Sequence, residues 1–174
     1  MGIVIFDFLN KIFDVLSVYI VPCALFAVVL ALVARFAFRK RYGLVSLWAW
    51  VMFGSLIFCE TIIRRIGTFK ATTDWLGVRE LFENPWFVVA AVENVIMFAP
   101  LGFFGCLAFR RLQAGRRLWI NIGVALCLSV AVEVIQFCMQ IGEAQVMDVV
   151  TNILGCVLGY VIGVFIVHKL CHID

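Results

Sequence analysis

The sequence predicts an all-α integral membrane protein: a five-helix transmembrane bundle with an N-terminal amphipathic segment and a short outer-loop helix. Three observations carry this. Of the 174 residues, 65% are hydrophobic and the mean hydropathy is +1.11, more apolar surface than a soluble domain of this size can hide. The apolar residues gather into five runs long enough to cross hydrocarbon. The basic residues gather in the connections between those runs. Residues 1–174 are read as one transmembrane domain.

The opening stretch, MGIVIFDFLNKIFDVL, carries Asp7 and Asp14 and has no basic cluster, so it reads as an amphipathic segment and not as a cleaved signal peptide. The first span is Val15–Ala34, with Pro22 near its start. The second is Leu44–Ile63, interrupted late by Glu60. A longer connection follows, in which Trp75, Val78, Leu81 and Phe82 share one helical face and Arg79, Glu80 and Glu83 lie elsewhere. That pattern fits a short helix lying in the interface, or equally a solvated loop anchored by Trp75 and Trp86. The third span is Trp86–Phe109, the fourth Leu118–Ile141 and the fifth Val146–Val167.

Charge sets the expected orientation. Nine of the fourteen Lys and Arg fall on one side: Arg35, Arg39, Lys40, Arg41, Arg110, Arg111, Arg116, Arg117 and Lys169. The opposite side holds Lys11, Arg64, Arg65, Lys70 and Arg79 with ten of the eleven acids. The richer side is expected to be cytoplasmic, which places the N-terminus outside and the C-terminus in the cytoplasm of a plasma-membrane protein.

Four carboxylates interrupt these apolar runs: Glu60, Glu93, Glu133 and Asp148. With five crossings, all four fall on the outer side. A carboxylate in hydrocarbon needs a partner, a cavity or water, so each is a site candidate. Glu133 lies eight residues before Ile141, about 12 Å below the outer end of its span. The others lie nearer the interface, and the pocket they suggest opens outward without a conduction path to the far side.

Polar residues on two spans converge on that pocket. Ser129, Glu133, Gln136 and Gln140 recur at helical spacing on one face of the fourth span. On the fifth, Asp148 and Asn152 are one turn apart, and Gly155 and Gly159 continue the stripe. Across the short IGEAQ turn the two stripes face each other, with Gln136 or Asn152 available to donate to a carboxylate. Glu133 and Asp148 are the candidate acid–base pair, since adjacent carboxylates share a proton or recruit a cation. The alternative is that Glu133, Gln136 and Asn152 only bond helix to helix. A third reading pairs the acids with Arg64, Arg65 or Arg79. Glu60 and Arg64 are one turn apart and form a local pair by themselves.

Gly155, Gly159 and Gly163 form GxxxGxxxG, which serves close packing within the fold or in a homodimer. In the third span Glu93-Asn94 precedes MFAPLGFFG, where Pro100 interrupts the helical ladder and Gly102 and Gly105 admit close neighbours. The seven cysteines show no metal-ligand spacing and read as apolar packing residues. HExxH, P-loop, GxSxG and GxGxxG are all missing. No metal, cofactor or nucleic acid is expected; membrane lipids are.

Two blocks carry a resemblance. Asn94-Val-Ile-Met-Phe-Ala-Pro100-Leu-Gly102 resembles the N-x-x-x-F-x-P-x-G segment of the VanZ-like family of small bacterial membrane proteins. Glu133-Val-Ile-Gln136 followed by Asp148, Asn152, Gly155 and Gly159 resembles that family's E-x-x-Q and D-x-x-x-N-x-x-G-x-x-x-G. The motifs span residues 94–159; the first half resembles the family only as hydrophobic spans. One departure is Gly142, where family members often carry an Arg. The resemblance implies a cell-envelope protein and, through the member that gave the family its name, low-level resistance to the lipoglycopeptide teicoplanin. The expected partner is then a lipid-linked envelope precursor or a lipoglycopeptide, held in a pocket of Glu93, Asn94, Gln136, Asn152, Glu60, Arg64 and Arg79. The other class of function is an intramembrane enzyme acting on a lipid or envelope precursor, with Glu133 and Asp148 as acid and base.

Overall fold

The computed structural model describes residues 23–25, 27–29, 32, 44–62, 65–66, 76, 86–142 and 144–171. Among these, regular structure is helical: α1 is Leu44–Thr61, α2 Trp86–Ala108, α3 Ala114–Met139 and α4 Val146–Cys171. Residues 23–25, 27–29 and 32 are helical too and fall inside the expected first span. Among the described residues three segments are long and apolar enough to cross a membrane, Val88–Ala108, Ala114–Met139 and Val146–His168, and Val45–Thr61 is a shorter apolar helix. The N-terminal amphipathic segment and, apart from Leu76, the outer-loop helix lie outside the described residues, as do Arg64 and Arg79.

The surface of these helices is what a lipid solvent requires. Val150, Leu154, Leu158, Val161 and Phe165 form an exposed apolar flank on α4, and Leu126, Val130, Val134 and Phe137 form another on α3. In water such a perimeter would drive aggregation; in hydrocarbon it is the ordinary outside of a helix, whose backbone bonds are closed internally.

Helix ends depart from the sequence expectation for local reasons. α3 starts at Ala114, a turn before Leu118, so Arg116 and Arg117 are helical. Arg116 is exposed, whereas Arg117 is partly buried and directs its guanidinium to Tyr160 of α4. At its other end Gln140 adopts a left-handed conformation (φ 52°, ψ 41°). The Gln140 N–H then donates to Phe137 O at 3.3 Å and the Ile141 N–H to Gln136 O at 3.1 Å. This closes the helix as a glycine usually does. Gln140 is exposed and does not extend the polar stripe of α3, correcting the expected four-residue face. The buried face is Asn121, Ala125, Ser129, Val132 and Gln136.

The closest pairing is α2 with α4, which run parallel. A Cβ on Gly155 would strike the backbone of Val95, one on Gly159 the carbonyl of Ala99, and one on Gly163 would lie 3.0 Å from Cys106 Cβ. Gly102 answers from α2, lying against the carbonyl of Cys156 and the amide of Tyr160. The GxxxGxxxG face is therefore used within the fold. α2 runs through Pro100, whose ring nitrogen cannot donate to the Ile96 carbonyl. Around this seam a central core joins Ile57, Phe98, Leu101, Ala125 and Cys156 from all four helices. Cys23, Leu56 and Cys59 tie the first span's helical residues to α1, helped by Trp48 Nε1 donating to Ala24 O at 3.1 Å.

Candidate functional site: the carboxylate end of the bundle

The antiparallel run of consecutive helices brings the last turns of α1 and α3 and the first turns of α2 and α4 to one end. Glu60, Glu93, Glu133 and Asp148 all belong to that end, and all four are partly buried. Arg110, Arg111, Arg116 and Arg117 occupy the other end.

Asp148 sits in the first turn of α4, where unsatisfied amides favour negative charge. Asn94 Nδ2 of α2 donates to Asp148 Oδ1 at 3.0 Å and approaches Thr151 Oγ1 at 3.3 Å. Glu133 of α3 accepts from the backbone N–H of Gln145 at 2.9 Å, which fixes the loop ahead of α4 against α3. Asp148 and Arg65 both lie within electrostatic reach of Glu133. Glu93 lies beside Asn94, half-buried, but Asn94 is the α2 side chain that reaches α4.

The amide donors differ from expectation. Gln136 Nε2 donates to the Thr61 carbonyl at 3.1 Å, satisfying an orphan acceptor at the end of α1. Asn152 Nδ2 donates to Ser129 Oγ at 2.8 Å and so joins α4 to α3. Neither bond goes to a carboxylate; Asn94 and the Gln145 amide take that role. What Gln136 and Asn152 leave over are acceptors: Gln136 Oε1 and Asn152 Oδ1 are buried and have no hydrogen-bond partner among the described residues. Buried polar atoms are normally satisfied, so two such oxygens beside two carboxylates ask for donors.

Arg65 reaches the corner at Gly142. A Cβ there would lie 2.8 Å from Arg65 Nη1 and 3.3 Å from Gln136 Oε1. The guanidinium of Arg65, just past the end of α1, occupies the space in which a side chain at 142 would begin. Of the three arginines the sequence offered, Arg65 is the one described, and it stands at that corner.

A second polar cluster lies deeper, unanticipated from the sequence. Asn121 and Trp50 meet at Gly105, whose Cβ would strike Asn121 Oδ1 and come 2.8 Å from Trp50 Nε1. Both atoms are buried and lack a partner among the described residues. The signal was present: Asn121 is eight residues before Ser129, two turns back along the same stripe. At the arginine end, Arg117 Nε donates to Tyr160 Oη at 3.1 Å and Tyr160 Oη donates to Ala114 O at 2.9 Å, tying α3 to α4.

Among the described residues no group of three or more His, Cys, Asp and Glu is arranged to hold a metal ion. The arrangement is acceptor-rich and partly buried, with the Arg65 guanidinium at its border among the described residues; chemically it can accept hydrogen bonds from a donor-bearing group.

Apolar helices of membrane-crossing length, an apolar perimeter and a polar cluster at one end define a small helical membrane protein. The sequence model of the VanZ/LLP1 family matches residues 47–167, and the chain belongs to that family. The match starts within α1, so the likeness extends beyond the two motif blocks into the first half of the chain. No curated protein and no solved structure matches.

Proposed function

We propose that this chain is a cell-envelope protein of the bacterial plasma membrane whose carboxylate end faces outward and binds the polar part of a membrane-anchored ligand. The observation that carries the reading is the acceptor surplus. Glu133, Asp148, Gln136 Oε1 and Asn152 Oδ1 come from two helices to one end, with the last two lacking donors among the described residues. A ligand that supplies hydroxyl, amide or ammonium hydrogens fits such a set, as the head of a lipid-linked envelope precursor or a lipoglycopeptide does. Arg65 at Gly142 adds one cation for an acidic group on the same ligand. Low-level tolerance of lipoglycopeptides such as teicoplanin is then one outcome of the binding.

A second reading, an intramembrane enzyme acting on a lipid or envelope precursor, is favoured by one observation: Asp148 lies within electrostatic reach of the partly buried Glu133. One carboxyl would donate a proton while the other accepted one. Growth inhibition by teicoplanin and by vancomycin, measured in a susceptible Gram-positive host, separates these readings. The binding reading expects protection against teicoplanin alone and its graded loss in Glu133→Gln and Asp148→Asn at unchanged expression. Complete loss in either amide variant favours the enzyme. Unchanged susceptibility with wild type removes lipoglycopeptides as the ligand.

A further inference from the structure

Below the carboxylate end the bundle contains a partly open cavity of about 550 Å³. Its wall is Trp50, Val51, Gly54, Ser55, Phe58 and Cys59 of α1, completed by Cys23, by Leu101 of α2 and by Val124 and Leu128 of α3. The volume falls within the usual range for sites that take small ligands. We infer that this cavity is a slot for one alkyl chain, belonging to an amphiphile whose head lies at the carboxylate end; the head's position rests on the function proposed above.

Four observations support it. The described lining is mostly apolar: Ser55 Oγ already donates to Val51 O at 2.9 Å and the Cys23 and Cys59 thiols lie 3.5 Å apart, which leaves Trp50 Nε1 as its polar atom without a partner among the described residues. Phe58 lines the slot and is also exposed, which places an opening on the apolar flank of α1, where the surrounding solvent is hydrocarbon. Along α1 the slot runs from Cys59 to Trp50, about 14 Å at helical rise. That is close to half of the roughly 30 Å hydrocarbon thickness, the depth of one leaflet. Its upper limit at Cys59 adjoins Glu60 and lies two residues from Thr61, whose carbonyl receives Gln136. Along α1 the slot therefore stops one residue short of Glu60.

Gly54 provides the space. A Cβ there would touch only Leu101 Cδ1, at 3.7 Å, an ordinary contact. The position therefore accepts a side chain, which would enter the slot without disturbing backbone. Hydrophobic transfer alone gives a chain no reason to leave lipid for the slot, because lipid tails are as apolar as the lining. Selectivity comes from the shape of the partly open slot and from the head group above it.

The test uses the full chain in phospholipid vesicles doped with an alkyl glycoside carrying a photoactivatable diazirine in its chain, with adducts mapped by mass spectrometry. Labelling of Val51, Phe58 and Leu128 is expected at several times the level found on the exposed α4 residues Leu154 and Leu158. Gly54→Leu should lower the slot adducts at least fivefold and leave the α4 adducts unchanged. Val124→Phe fills the slot from the opposite wall and should do the same, which guards against misfolding of either variant. Equal labelling of slot and α4, or slot labelling that both filling variants leave untouched, means an annular lipid only and overturns the proposal. A separate arm compares the glycoside with a diazirine phosphatidylcholine, whose head has no hydrogen-bond donor. Loss of the glycoside preference in Glu133→Gln supports the polar site. A preference that Glu133→Gln leaves intact sinks the polar site, while the slot is judged by the filling variants alone.

Discussion

Replacing Gly159 by alanine adds one methyl group where the backbone of Ala99 already lies. The added Cβ would overlap the Ala99 carbonyl oxygen and sit 2.6 Å from its carbon and 2.9 Å from its Cα. None of these atoms is the end of a flexible side chain. α2 and α4 must therefore separate, and a gap of about 0.5–1 Å forfeits a quarter to a half of each dispersion contact along the seam. Overpacking of this kind costs about 3 kcal/mol at the upper end of its usual range. Alanine's better helix propensity returns about 1 kcal/mol, leaving a net loss of about 2 kcal/mol. α3 supplies the control: a Cβ on Gly123 meets nothing within 4 Å. There the same change should gain about 1 kcal/mol. For a chain of this size the 3 kcal/mol difference corresponds to roughly 6–12 °C in Tm. Thermal unfolding of the two purified variants in detergent measures it directly. Equal Tm values would show that α2 and α4 do not meet through backbone at Gly159.

Four further outcomes follow from the carboxylate end and its surroundings. Asn94→Ala should cost about 1.5–3 kcal/mol, as expected for a hydrogen bond to a charged group; Asn94→Asp should cost more in the same unfolding assay, because it sets a second carboxylate against Asp148. Arg65→Ala should weaken the protective phenotype, and adding Gly142→Arg to it should restore protection, since the two side chains share one space; a double variant no better than the single one counts against that placement. Gln140→Gly should raise stability by about 1 kcal/mol by relieving the left-handed backbone of a residue with a Cβ; a lower Tm would show the Gln140 side chain contributing more than its backbone costs. Cys138 is exposed near the end of α3, so a membrane-impermeant maleimide should label it in intact cells if the carboxylate end is outward, whereas labelling only after permeabilisation reverses the orientation; Cys106 is fully buried and cannot report.

Much of the fold was legible because lipid leaves few options. Long charge-free runs must be helices, since only a helix closes its backbone bonds within one segment, and the third, fourth and fifth spans correspond to α2, α3 and α4 within a few residues. The grouping of the four carboxylates at one end followed from alternating helix direction alone. Bond partners were less legible. Spacing put Gln136 and Asn152 on faces near the carboxylates, but spacing does not reveal that Thr61 ends α1 with an open carbonyl or that Ser129 faces Asn152. Asn94 was visible only as part of a motif, because a single polar residue on an apolar helix carries no periodicity. Gln140 matched the stripe by number and left it by conformation, since nothing in a glutamine announces a left-handed residue. Arg65 at Gly142 depended on where the chain turns after α1, and the sequence offered Arg64 and Arg79 on equal terms.

The seam between α2 and α4 also orders how the chain is built. Its two helices are not consecutive: all of α3 is made and inserted between them. Until α4 leaves the insertion machinery, Gly102 has no backbone to receive, Asn94 has no Asp148, and Glu133 has no Gln145 amide. Membrane helices associate after each has become stable across the bilayer, so the tightest contact and the most polar region form together, late, in one step. A nascent chain thus holds Glu133 without its Gln145 donor until the loop ahead of α4 has been made.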